Sequence, residues 1–121
     1  MTPFAEILKR AVDMTPFAIG GAFADADGEM VDSYSTMNPH DWAVLTAHYG
    51  VVLAQLTAAF GTLHFGGPEF FIAKHKSIEI IVFSVESGYY ALLAFSQPAS
   101  IDSTLATLAD CARALQREMN A

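Results

Sequence analysis

One stretch limits what this chain can fold into: Asn38 to Gly61, NPHDWAVLTAHYGVVLAQLTAAFG. Asn38 followed by Pro39 reads as a helix cap with proline in the first turn, and Gly61 as the residue that closes the helix. At about 100° per residue, Trp42, Leu45, Tyr49, Leu53, Leu56 and Phe60 gather on one side as a bulky stripe suited to a sheet. Asp41, His48 and Gln55 form a thin polar line beside it. Opposite stand Ala43, Ala47, Val51, Ala54 and Ala58, flanked by Thr46, Gly50 and Thr57, where a surface helix would carry charge. The stretch contains no lysine, arginine or glutamate. Either another helix of the same chain covers this second face or a partner does. The remaining elements are few, so the expectation is an intermolecular surface.

The rest of the chain reads as short elements around that helix. Thr2-Pro3 opens a first helix with Phe4, Ile7, Leu8 and Ala11 in helical spacing, ending near Met14 because Pro16 disfavours helical geometry at Thr15. Ala18–Ala24 reads as a covered strand. Asp25-Ala26-Asp27-Gly28 is a hairpin turn, and Glu29–Tyr34 a polar edge strand with Met30, Asp32 and Tyr34 on one side. After Gly66-Gly67-Pro68 come strands at Glu69–His75, Ile78–Val85 and Tyr89–Phe95, the last strongly apolar and central. Gln97-Pro98-Ala99-Ser100 leads into a final helix with Ile101, Leu105, Leu108, Ala112, Leu115 and Met119 along its seam. The order is α-β-β-α-β-β-β-α: a single α/β (α+β) domain over 1–121, with one five-stranded antiparallel sheet in a three-layer α/β/α arrangement. The 69–75 strand is apolar on both alternations, a liability at an edge unless another chain pairs with it.

Composition narrows the function. The 121 residues are 53% hydrophobic and only 16% charged, with a net charge of −7. Six basic residues, scattered in pairs, argue against nucleic acid and against an anionic membrane surface. The apolar stretch 43–60 is interrupted by His48, Gly50 and Gln55, so no membrane insertion is expected. The N-terminus has no basic start followed by an apolar run, and the single cysteine, Cys111, suits a reducing compartment. A cytoplasmic location is the expectation.

Catalytic and ligand-binding patterns fail one by one. Asp25, Asp27, Glu29 and Asp32 suggest a calcium loop, but the glycine falls too early and the residues run on into a strand. His40, His48, His64 and His75 lack metal-ligand spacing. Gly20-Gly21 and Gly66-Gly67 lack the lysine of a phosphate loop. Cys111 lies on the inner seam of the last helix as a core thiol. No catalytic residue, cofactor or metal site is expected.

The signature residues Ile19-Gly20-Gly21-Ala22-Phe23-Ala24-Asp25-Ala26-Asp27-Gly28, then Glu79-Ile80-Ile81-Val82-Phe83, then Gly88-Tyr89-Tyr90-Ala91-Leu92-Leu93, resemble the Roadblock (dynein light chain) family, in its small bacterial MglB-like branch. The resemblance implies a homodimer in which the third strands pair edge to edge and the second helices lie side by side. It also implies that the helical platform binds a small Ras-like GTPase. On this chain, Phe70, Phe71, Ile72 and Ala73 would form the dimer strand. Ala43, Thr46, Ala47, Gly50, Val51, Ala54, Thr57 and Ala58 would serve the helix contact and platform. Two rival readings remain: a small-molecule sensor with a cavity among Phe23, Tyr49, Phe83 and Tyr90, and a structural subunit of a larger scaffold.

Overall fold

The computed structural model describes residues 1–96 and 100–121. The chain runs α1 (Pro3–Asp13), β1 (Ala18–Ala24), β2 (Met30–Ser35), α2 (Pro39–Gly61), β3 (Phe70–Lys74), β4 (Glu79–Ser84), β5 (Tyr90–Phe95) and α3 (Ile101–Met119). A short 3-10 turn at Glu86–Gly88 links β4 to β5. This is the element order and fold class read from the sequence. The connection expected at 97–99 lies outside the described residues. The strands form one sheet in the order β2-β1-β5-β4-β3, every neighbour antiparallel. β5 is central and buried along its whole length, while β2 and β3 are the edges.

Helices start where the caps place them. Thr2 accepts from the Ala5 N–H at 3.1 Å, and Ser100 from the Ser103 N–H at 3.4 Å. Asn38 Oδ1 accepts from the N–H groups of His40 at 2.9 Å and Asp41 at 3.2 Å. Gly61 does not close α2: it stays helical, Thr62 is the cap, and the left-handed conformations fall later, at His64 and Gly66. The chain needs its reversal only after the helix has run past the sheet.

α1 and α3 cover one face of the sheet together. Their core joins Leu8, Phe23, Ile81, Leu93, Phe95, Leu108 and Leu115, each almost wholly buried and each contributing about 1.5–3 kcal/mol by area. α1 packs directly over Gly21, where a Cβ would make ordinary contacts with Val12 and Leu8, at 3.4 and 3.5 Å. α2 lies alone on the opposite face, over Ala22, Ala24, Ile80, Val82, Tyr90 and Leu92.

The edge strand β2 departs from simple alternation. Its register shifts beside Phe23 and Ala24, so that Asp32 opposes Phe23 and Met30 opposes Ala24. Tyr34 therefore packs with the α1/α3 core and Met30 with the α2 core, instead of sharing one side. A bulge supplies the extra residue.

Candidate protein-interaction surface

α2 presents four sides, and the sequence pattern assigns only some of them correctly. Its inward side is Trp42, Thr46, Gly50 and Leu53. Thr46 is 0% exposed. Tyr90 reaches up from β5, and its hydroxyl donates to the Thr46 carbonyl at 2.8 Å. A Cβ at Gly50 would collide with that hydroxyl, so the ring fits only under glycine. Thr46 and Gly50, expected on the open face, thus face the sheet. Their smallness accommodates an aromatic side chain from below.

The flanks follow from helical phase. On one side Ala47 lies against the β1–β2 turn, where a Cβ on Gly28 would be 3.4 Å from the Ala47 Cα. Ala43 and Ala54 share this flank, and Ala54 lines one groove together with Ala26. On the other side Tyr49 stacks on Phe71 with ring centroids 6.2 Å apart, and its hydroxyl bonds the Nε2 of His75. Leu45, Val52 and Leu56 lie along this second flank, toward β3. The helix side that borders the β3 edge is therefore the larger-residue side, not the alanine side.

The outward face carries Val44, Val51, Gln55 and Ala58, all exposed, with Val51 at 59%. Phe60 and the following Leu63 and Phe65 are exposed too, Phe65 at 80%. His48 folds back, its Nδ1 2.7 Å from the Val44 carbonyl. α2 is long and apolar enough to cross a membrane by length and composition alone, yet Trp42, Thr46, Gly50 and Leu53 hold it on the sheet. Only 17% of that window is buried within the chain.

β3 is the open edge expected for it. The Ser84 N–H donates to the Glu69 carbonyl at 2.7 Å and the His75 N–H to the Ile78 carbonyl at 2.9 Å. Antiparallel alternation then leaves the backbone groups of Phe70, Ile72 and Lys74 directed away from β4. Phe71 and Ala73 are half-buried, Phe71 on the α2 side. Phe70 stacks on Phe83 at 6.0 Å on the other face, and Ile72 remains 40% exposed.

Other candidates resolve as structure. Asp25 Oδ1 accepts from the N–H groups of Asp27 at 2.9 Å and Glu29 at 3.0 Å, a carboxylate spent on its own turn. Among the described residues no cluster of three or more His, Cys, Asp or Glu is placed to hold a metal. Burial pushes the Cys111 thiol up to about 12, which removes its nucleophilic form near neutrality. Phe23 and Phe83 belong to the α1/α3 side and Tyr49 and Tyr90 to the α2 side. The sheet separates the two pairs, so they cannot enclose one ligand.

No protein-family model and no curated protein matches the sequence. Solved structures do. MglB from Myxococcus xanthus superposes with a TM-score of 0.89 at 12% identity, covering 99% of this chain and 97% of that one. A Roadblock/LC7 domain from Streptomyces avermitilis gives 0.85 at 13% identity, over 96% of this chain and 97% of that one. An MglB with a tetrameric arrangement gives 0.83 at 16% identity, over 93% and 84%. With identities this low the likeness is one of architecture: the chain has the Roadblock/LC7 fold in the form seen in MglB.

Proposed function

We propose that the chain is a non-enzymatic, homodimeric cytoplasmic adaptor that binds a small Ras-like GTPase and modulates its activity or localisation. The observation that supports this reading most is the pairing of an outward apolar face on α2 with an unpaired β3 edge beside it, joined by Tyr49 on Phe71. Two copies would pair their β3 strands through Phe70 and Ile72, burying apolar side chains that one copy leaves in water. Leu45, Val52 and Leu56 would then meet the partner's second helix, and Val44, Val51 and Ala58 would form the platform. The MglB of tetrameric arrangement supports self-association in this fold. α2 carries no arginine, so any stimulation of hydrolysis would come from bracing the GTPase's own switch elements.

Sedimentation of the intact chain and of Ile72→Pro tests the first half. Proline removes an outward N–H without touching the β4 ladder, and the wild type is expected as a dimer and the variant as a monomer. For the second half, Val51→Arg should abolish capture of a Ras-like GTPase from the same organism. A monomeric wild type, or capture indifferent to Val51→Arg, would overturn the reading.

A further inference from the structure

Read in reverse, β3 and its flanks are their own complement. The run Glu69-Phe70-Phe71-Ile72-Ala73-Lys74-His75-Lys76 begins with a carboxylate and ends in basic side chains. β4 fixes its alternation: Phe71 pairs with Val82 and Ala73 with Ile80, and the Ser84 and His75 N–H groups extend the ladder to Glu69 and Ile78. Glu69, Phe71, Ala73 and His75 therefore share the α2 side of the sheet, where Tyr49 stacks on Phe71 and bonds His75. Phe70, Ile72 and Lys74 share the other side, where Phe70 stacks on Phe83 and Lys74 Nζ lies 3.9 Å from Glu79. Glu69 and His75 are both exposed, and neither has an oppositely charged partner among the described residues.

An unpaired strand edge takes another strand, and few registers are open to a second copy. The backbone groups directed outward are those of Phe70, Ile72 and Lys74, so two copies must meet through these residues. A slip of one residue would set outward groups against inward ones. A two-fold axis at Ile72 engages all of them: Ile72 opposes itself, and Phe70 opposes Lys74 of the partner subunit. On the α2 side the same axis sets Phe71 against the partner's Ala73, large against small. It also sets Glu69 against the partner's His75, carboxylate against imidazole. These two are the pairs that exchange no hydrogen bonds across the new edge, with Cα atoms about 4.5 Å apart and side chains within reach. With the axis at Phe71, Glu69 would meet Ala73 instead; with it at Ala73, His75 would meet Phe71. Either shift also drops an outward residue from the ladder.

We propose that two copies join β3 to β3 with the two-fold axis at Ile72, and that Glu69 of each copy completes the Tyr49–His75 pair of the other. This rests on the homodimer reading above and fixes which residues meet in it. Tyr49 holds Nε2 of the imidazole and leaves Nδ1 for the carboxylate across the axis. The polarity of the strand also rejects a parallel copy, which would set Glu69 beside Glu69 and bring the basic ends together.

Disulfide trapping and sedimentation equilibrium on the intact chain test it. Ile72→Cys should cross-link to itself on oxidation, since the paired Cα atoms would stand about 5.5 Å apart, within disulfide reach. Phe71→Cys and Ala73→Cys should each fail to cross-link alone and should cross-link when the two variants are mixed, Cys111 being buried and silent. Glu69→Lys and His75→Glu should each weaken the dimer about tenfold, because like charges then face each other across the axis. The double variant restores opposite charges and should recover most of that loss. Circular dichroism confirms that the variants fold. Trapping of Phe71→Cys or Ala73→Cys alone, or a double variant no tighter than the single ones, would overturn the proposal. If the wild type is then still a dimer that Ile72→Pro dissociates, the homodimer reading stands and the register alone falls. A monomeric wild type overturns both.

Discussion

The two faces of the sheet are built to different ends. On one, α1 and α3 lie against each other and against Phe23, Ile81, Leu93 and Phe95, and the apolar side chains of three elements close over one another. On the other, a longer and more apolar helix stands alone, fixed through Trp42, Thr46, Gly50 and Leu53 and bare on its outer side. The more apolar helix is the less buried one. Hydrophobic content alone therefore does not mark the core: what marks it is how many elements converge on a side chain.

That contrast breaks if the faces respond alike to substitution. The largest loss is expected on the sealed face. Leu115→Ala leaves a void among side chains with no room to collapse and should cost about 2–5 kcal/mol in chemical denaturation. A smaller loss is expected where α2 rests on the sheet. Gly50→Ala forces Tyr90 aside and should cost about 1–3 kcal/mol, with the Tyr90 hydroxyl losing its Thr46 acceptor. The smallest belongs to the outer side, where Val51→Arg should leave the unfolding midpoint within about 0.5 kcal/mol of wild type while ending partner capture. A large destabilisation by Val51→Arg would mean that the outer side belongs to the core of a single copy.

The element order was legible because punctuation marks nearly every boundary: Thr2-Pro3, Asn38-Pro39, the Asp25–Gly28 turn and the Gly66-Gly67-Pro68 break. The edge position of β3 was legible through the family resemblance and its apolar alternation. The orientation of α2 was not. Nearly every residue between Trp42 and Phe60 is apolar or small, so helical periodicity has no strong contrast from which to choose a face. Size favoured Leu56 and Phe60 as inward residues, yet the helix has passed beyond the strands by then, and Phe60 is exposed. Thr46 and Gly50, one turn apart, were the available signal, but their meaning depends on Tyr90, which lies far along the chain. The bulge that separates Met30 from Tyr34 had no signal in β2 itself.

The contact between Gly50 and Tyr90 has a consequence well away from itself. One phenol ring acts as a shim that sets the height and pitch of the long helix, so anything that recognises the helix from outside also senses, at second hand, which residue stands at position 90 beneath it. Selection for a different companion could act on that hidden pair while every visible side chain stayed the same.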